Sequence, residues 1–170
     1  MNASSGVGMI DGCKTDFRCV TLSSAAPESL GVAVATVRSG GWGLIDCREG
    51  ASPPELVNHR FDELIRRTAG AIGLPGLALN LIDAVNESLL AQLATVEHVL
   101  LVQLPADAEL DACKHLVNCP QRVLLLQAPI TWNLHHCSGD SLVSVDQIDG
   151  WVVVGSELTR SDSDLSVFVV

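Results

Sequence analysis

Seven residues stand where apolar runs end and turns begin: Ser23, Ser24, Asn80, Gln103, Gln127, Gly155 and Glu157. All are small or uncharged except Glu157. Such a set is suited to hydrogen-bonding a ligand. It is poorly suited to moving protons, because Glu157 has no obvious second carboxylate partner in sequence with which to form an acid–base pair. The same groups can equally satisfy the backbone of the loops that follow strands. His135, His136 and Cys137, with Asp140 close by, have the residue types of a zinc site. Adjacent side chains seldom point at one ion, so the preferred reading is an exposed polar loop, and no metal is expected. His59, His98 and His115 occupy helical or strand-edge positions and read as structural or solvent-facing. The chain has no G-x-S-x-G elbow, no P-loop and no G-x-G-x-x-G. Gly40, Gly41 and Gly43 precede a strand and not a helix, the wrong order for a dinucleotide loop. No catalytic residue is assigned.

The elements that must position these residues alternate. Strands are predicted at residues 17–22 (FRCVTL), 42–46 (WGLID), 77–82 (LALNLI), 98–104 (HVLLVQL), 122–127 (RVLLLQ) and 151–154 (WVVV). Between them the pattern predicts helices over residues 27–38, with Pro27 in the first turn and Gly40 and Gly41 as the stop. A second follows Ser52 as N-cap, with Leu56, Phe61, Leu64 and Ile65 on one face and Arg66 and Arg67 on a solvated one. Others are predicted over 86–95, capped by Asn86, and over 108–117, with a short helix or turn near 141–147. The strand runs are apolar throughout and do not alternate. That signals burial on both faces, as in a parallel sheet covered by helices. A strand every twenty to thirty-five residues or so suits β-α-β units. The expected fold is α/β: a parallel, incomplete barrel-like (β/α) sheet of about six strands with helices outside. A doubly wound sheet with a ligand at its switch point is the alternative. Residues 1–15, small and polar with three glycines, read as a flexible leader, and residues 16–170 as one domain. The apolar finish at 165–170 (LSVFVV) suits either a terminal strand or a chain cut from a longer one.

Composition narrows the function. Of 170 residues, 48% are hydrophobic and 18% charged, enough to bury a sizeable core. The net charge of -10 disfavours nucleic acid and anionic membranes. With no long apolar run and no basic, apolar leader, the expected compartment is the cytoplasm. Six cysteines, none in a C-x-x-C pair, predict no disulfide framework; Cys19 and Cys47 read as small buried thiols.

Three stretches carry a family resemblance. TLSSAAPESLGVAVATVRSGGWGLIDC resembles the opening of the nitronate monooxygenases, also called the 2-nitropropane dioxygenase family. There, a strand ends in a small-residue loop, a helix follows, and a Gly-Gly turn leads to the second strand. LALNLID, with Asn80, is similar to the family's third strand, which carries an Asn near the flavin. DGWVVVGSELT is similar to its sixth, where the run ends in Gly-x-Glu-Ala-Gly-Gly; Gly155 and Glu157 match, whereas Leu158, Thr159 and Arg160 do not. Partial domains of this kind at the start of some polyketide or polyunsaturated fatty acid synthases are closer still. The resemblance spans about residues 17–170 on short motifs. It implies a barrel with FMN at its C-terminal mouth, the seven strand-end residues lying around the isoalloxazine edge, and a catalytic His in the general region of His135 and His136. The family's phosphate site lies on the last two strands of the barrel, which would fall beyond Val170. The resemblance therefore implies the fold more firmly than the flavin, with weak or no independent catalysis. The alternative is a non-catalytic docking or scaffold module of a biosynthetic multienzyme. Open sheet edges imply self-association, or docking on the remainder of such a multienzyme.

Overall fold

The computed structural model describes residues 5–6, 19–48, 53–127, 142–143, 147–153 and 167–169. Among them eight strands form one sheet in strict chain order: β1 (Ser5–Gly6), β2 (Cys19–Ser24), β3 (Trp42–Asp46), β4 (Leu74–Asn80), β5 (His98–Gln103), β6 (Arg122–Gln127), β7 (Gly150–Val153) and β8 (Val167–Val169). From β2 to β8 every pairing is parallel. β1 alone runs antiparallel, along the N-terminal end of β2. The order contains no reversal, so the switch point of a doubly wound sheet is absent among the described residues. Apart from that pair, residues 1–18 lie outside the described residues, as do 128–141, the span that holds His135, His136, Cys137 and Asp140.

Helix α1 (Leu30–Arg38) follows a 3₁₀ turn at Pro27–Ser29 that places Pro27 at its start. Leu30, Ala33, Val34 and Val37 recur at helical spacing and bury one face. The helix ends in a Schellman motif. Gly40 takes a φ of 91°, its N–H donates to Val37 O at 3.1 Å, and Gly41 N–H donates to Thr36 O at 2.9 Å. Helix α2 (Pro54–Arg67) buries Val57, Phe61 and Leu64. Pro53 occupies its N-cap, and Ser52, the expected cap, lies outside the described residues. Leu56, expected on the buried face, is 38% exposed; Val57 takes that place, one residue on in the turn that begins at Pro54.

Two expectations are corrected here. Strand β4 begins at Leu74 and stops at Asn80, and residues 81 and 82 belong to helix α3 (Leu81–Ala84). Asn80 ends the strand because its side chain caps that helix, accepting from Asp83 N–H at 3.0 Å. Helix α4 (Glu87–Leu93) is capped by Asn86 as expected, with Leu89 N–H donating to its side chain at 3.1 Å. The helix expected over 108–117 is only a 3₁₀ turn at Leu110–Cys113. Leu110 and Cys113 are its buried residues, and Leu116 is buried three residues further on, a spacing that matches a 3₁₀ period.

The sheet has an apolar core on each face. Side chains in register alternate between them. Ile45, Leu77, Leu79, Leu100, Val102, Leu124 and Leu126 pack in a core that also holds residues of α1, α2 and α4. The opposite face carries Val20, Trp42, Leu44, Ala78, Val99, Leu101 and Leu125, all buried and all from strands. Cys47 and Cys113 are buried, but Cys19 is exposed, against expectation, because it opens β2 at the end of the strand. At the N-terminal edge of the sheet His98 is fully buried. Its Nδ1 lies 2.8 Å from Val96 O, and Arg122 Nε donates to its Nε2 at 3.2 Å, the pattern of a neutral imidazole protonated on Nδ1. Burial, and secondarily the Arg122 charge, hold its pKa below the ordinary histidine value against the opposing bond to Val96.

Candidate functional site

The strand ends at the C-terminal side of the sheet bring some of the expected residues together and separate others. Asn80, Gln103 and Gln127 are in register across β4, β5 and β6. Alternation along the strands puts them on the face of Leu101 and Leu125, as it does Ser24 on β2. Ser23 belongs to the opposite, helix-covered face. It is fully buried, and its hydroxyl has no hydrogen-bond partner. A hydroxyl in that position cannot reach a ligand at the strand ends. Gly155 and Glu157 lie outside the described residues.

Most of the row is already engaged. Asn80 caps α3 and its amide also donates to Asp83 Oδ2 at 2.9 Å. Ser24 Oγ donates to Ser29 Oγ at 2.8 Å. The Gln127 side-chain oxygen accepts from Arg48 Nη1. Gln103 is exposed at the end of β5.

Arg48 and Asp46 are the functional candidates that strand-end reading missed. Asp46 ends β3 and Arg48 follows two residues later. Arg48 Nε donates to Asp46 Oδ1 at 2.9 Å and Nη2 to Oδ2 at 2.8 Å, a bidentate pair, and its backbone N–H adds a third bond at 3.1 Å. The same guanidinium reaches Gln127 on β6, three strands away. Strands three places apart in a flat sheet stand about 14 Å from each other. One Arg side chain tied to both ends fits a sheet that bends toward the face that carries Leu44 and Leu101. The signal in the sequence was slight: an acid closing an apolar strand, with a base two residues on.

The electrostatics follow from this pair. Burial acts to raise the Asp46 pKa, but the Arg48 hydrogen bonds and charge together outweigh it and hold the carboxyl below its ordinary value. Cys47, between them in sequence, is pushed up to about 11 by burial, and further by Asp46 and Asp83, so it is no nucleophile. Arg48→Ala removes the side-chain hydrogen bonds and the charge and leaves only the backbone N–H bond to oppose burial, so the Asp46 pKa rises. A carboxylate with a lowered folded pKa contributes stability that is full above its unfolded value and lost as pH falls through the folded one. The variant should lose about 2 kcal/mol at neutral pH. The stability gap between variant and parent should narrow as pH falls, because acid takes from the parent an Asp46 contribution that the variant lacks. Urea titrations of both proteins across the acid range would measure this, and parallel pH profiles would refute the pairing.

Among the described residues no group of three or more His, Cys, Asp or Glu is placed to hold a metal ion, and no helix is long and apolar enough to cross a membrane. Comparison with known proteins gives no matching family model, no matching curated protein and no matching solved structure. The functional reading therefore rests on this chain's own geometry.

Among the described residues, the side chains at the strand ends do not fit FMN as they stand. The amide of Asn80 and the Gln127 oxygen are committed to protein partners. The guanidinium at the strand ends is neutralised by Asp46, and Asp83 adds a second carboxylate near Cys47. A flavin phosphate needs uncompensated donors, and this edge offers it negative charge.

Proposed function

We propose that this chain is a curled, barrel-type (β/α) domain of the nitronate monooxygenase-like kind that serves as a non-catalytic docking or scaffold module. Its setting would be a biosynthetic multienzyme of the polyketide-synthase type, where it would stand as an N-terminal module with weak or no flavin chemistry of its own. The observation that carries this reading is Arg48, tied at once to Asp46 and to Gln127 three strands away. Those three side chains stand where a barrel enzyme presents its ligand groups. The second core, built among the described residues from strand side chains, supports the barrel-type curl.

The experiment is a titration of the purified protein with FMN, followed by quenching of flavin fluorescence. A colourless protein that gives no saturable quenching is the expected result. A yellow protein, or saturable binding at micromolar FMN, would overturn the scaffold reading in favour of a working flavin oxidoreductase.

A docking module needs an interface, and the sheet edge supplies one. β8 pairs with β7 on one side, and no strand covers its other side among the described residues. Unpaired edges recruit further strands. The isolated chain should therefore self-associate as its concentration rises. Light scattering that returns a monomer throughout would count against an interface at that edge.

A further inference from the structure

At the N-terminal edge of the sheet, far along the strands from Arg48, lies an open cleft of about 440 Å³. Its walls include Leu116, Val117, Cys119, Arg122, Leu124 and Asp149. The volume is that of an ordinary small-molecule site. What sets it apart is Arg122. The residue is only 8% exposed, yet no carboxylate among the described residues lies within ion-pair distance. Nε is spent on the neutral imidazole of His98, and Nη1 donates to Leu116 O at 2.8 Å. Nη2 makes no hydrogen bond, and it is not among the sealed atoms that lack a partner, so it opens on the cleft that Arg122 lines. A desolvated guanidinium whose partners are all neutral is costly, and an anion on the remaining amine would offset that cost.

We propose that this cleft binds a small organic monocarboxylate, its oxygens on Arg122 Nη2 and its apolar body against Leu116, Val117 and Leu124. Asp149 decides the class of anion. Its Oδ2 accepts from Leu124 N–H at 2.7 Å, which fixes a negative charge on the wall. That charge opposes a dianionic phosphate more than a singly charged carboxylate. The Gln147 amide donates to Asn118 Oδ1 at 3.1 Å and ties the loop before β6 to the segment before β7, so two sides of the cleft are joined. Burial lowers the Arg122 pKa, with Cys119 acting the other way, but a guanidinium stays charged over the working range. Barrel-like folds keep their chemistry at the opposite end, so the role assigned here is ligand binding without reaction.

Cys119, half-buried on the wall, is a built-in reporter. The intact chain is alkylated with iodoacetamide in the presence of hexanoate, hexan-1-ol or chloride at matched ionic strength. N-acetylcysteine serves as the reagent standard, and labelling at Cys119 is read by peptide mass mapping. Hexanoate should slow Cys119 several-fold while hexan-1-ol and chloride leave it unchanged. No slowing, or equal slowing by the acid and the alcohol, overturns the proposal. In Arg122→Met the protection by hexanoate should vanish. If that variant does not fold, the contrast between acid and alcohol in the parent protein still decides the question.

Discussion

Gly43→Ala should destabilise the fold by about 3 kcal/mol, a large share of what a domain of this size has to lose. Gly43 lies mid-strand in β3, on the face that α1 covers. A Cβ there would stand 2.8 Å from the Ala33 carbonyl carbon and 2.9 Å from its Cα, with the Ala33 carbonyl oxygen closer still. These are backbone atoms, so no rotamer change can relieve the clash; the helix must lift off the sheet. That movement would disturb the packing of Leu30, Val34 and Val37, whose burial holds α1 in place. Gly31, in α1 itself, is the control. Nothing lies within 4 Å of a Cβ built there, and alanine should stabilise the helix by up to about 1 kcal/mol. Denaturant melts of the two variants should therefore move in opposite directions. Equal, small shifts would show that α1 does not sit on β3.

The second large effect concerns the other face. Leu101→Ala should cost about 3 kcal/mol. Leu101 is 1% exposed and stands in register with Ala78 on one side and Leu125 on the other, in the core to which, among the described residues, no helix contributes. If the sheet were flat, that side chain would face solvent, and its truncation would cost no more than about 0.5 kcal/mol. The measurement is thus a direct test of the curl on which the functional proposal leans. A Leu101→Ala protein with an unchanged unfolding midpoint would leave Arg48 and Gln127 without the geometry that joins them.

The parallel layer was legible in the sequence because burial on both faces writes itself as unbroken apolar runs such as HVLLVQ and RVLLLQ. The end of α1 was legible because Gly40 and Gly41 are the residues a left-handed stop requires. Asn80 was counted among the strand-end residues with a ligand-facing role while the strand was drawn on to residue 82; a short side chain at a strand end caps the next helix just as readily. Ser23 and Ser24 are neighbours in sequence, yet the pleat sends them to opposite faces, a consequence of period two that adjacency hides. The link from Arg48 to Gln127 spans 79 positions and joins strands three places apart, so no local pattern could announce it. The 3₁₀ turn at Leu110–Cys113 was in principle readable from its spacing of three, but a helical composition masked it.

The unbroken strand order bears on how the molecule is made. Each parallel strand hydrogen-bonds to the one translated before it. As the nascent chain leaves the ribosome, every new strand after β2 meets a docking edge that already exists. Growth can then proceed by accretion, with no early strand left waiting for a distant mate. The same arithmetic runs backwards in the finished protein. Amide protons of β4 and β5, flanked on both sides, should exchange slowest, and those of β1 and β8 fastest, so that loss of structure spreads inward from the two rims.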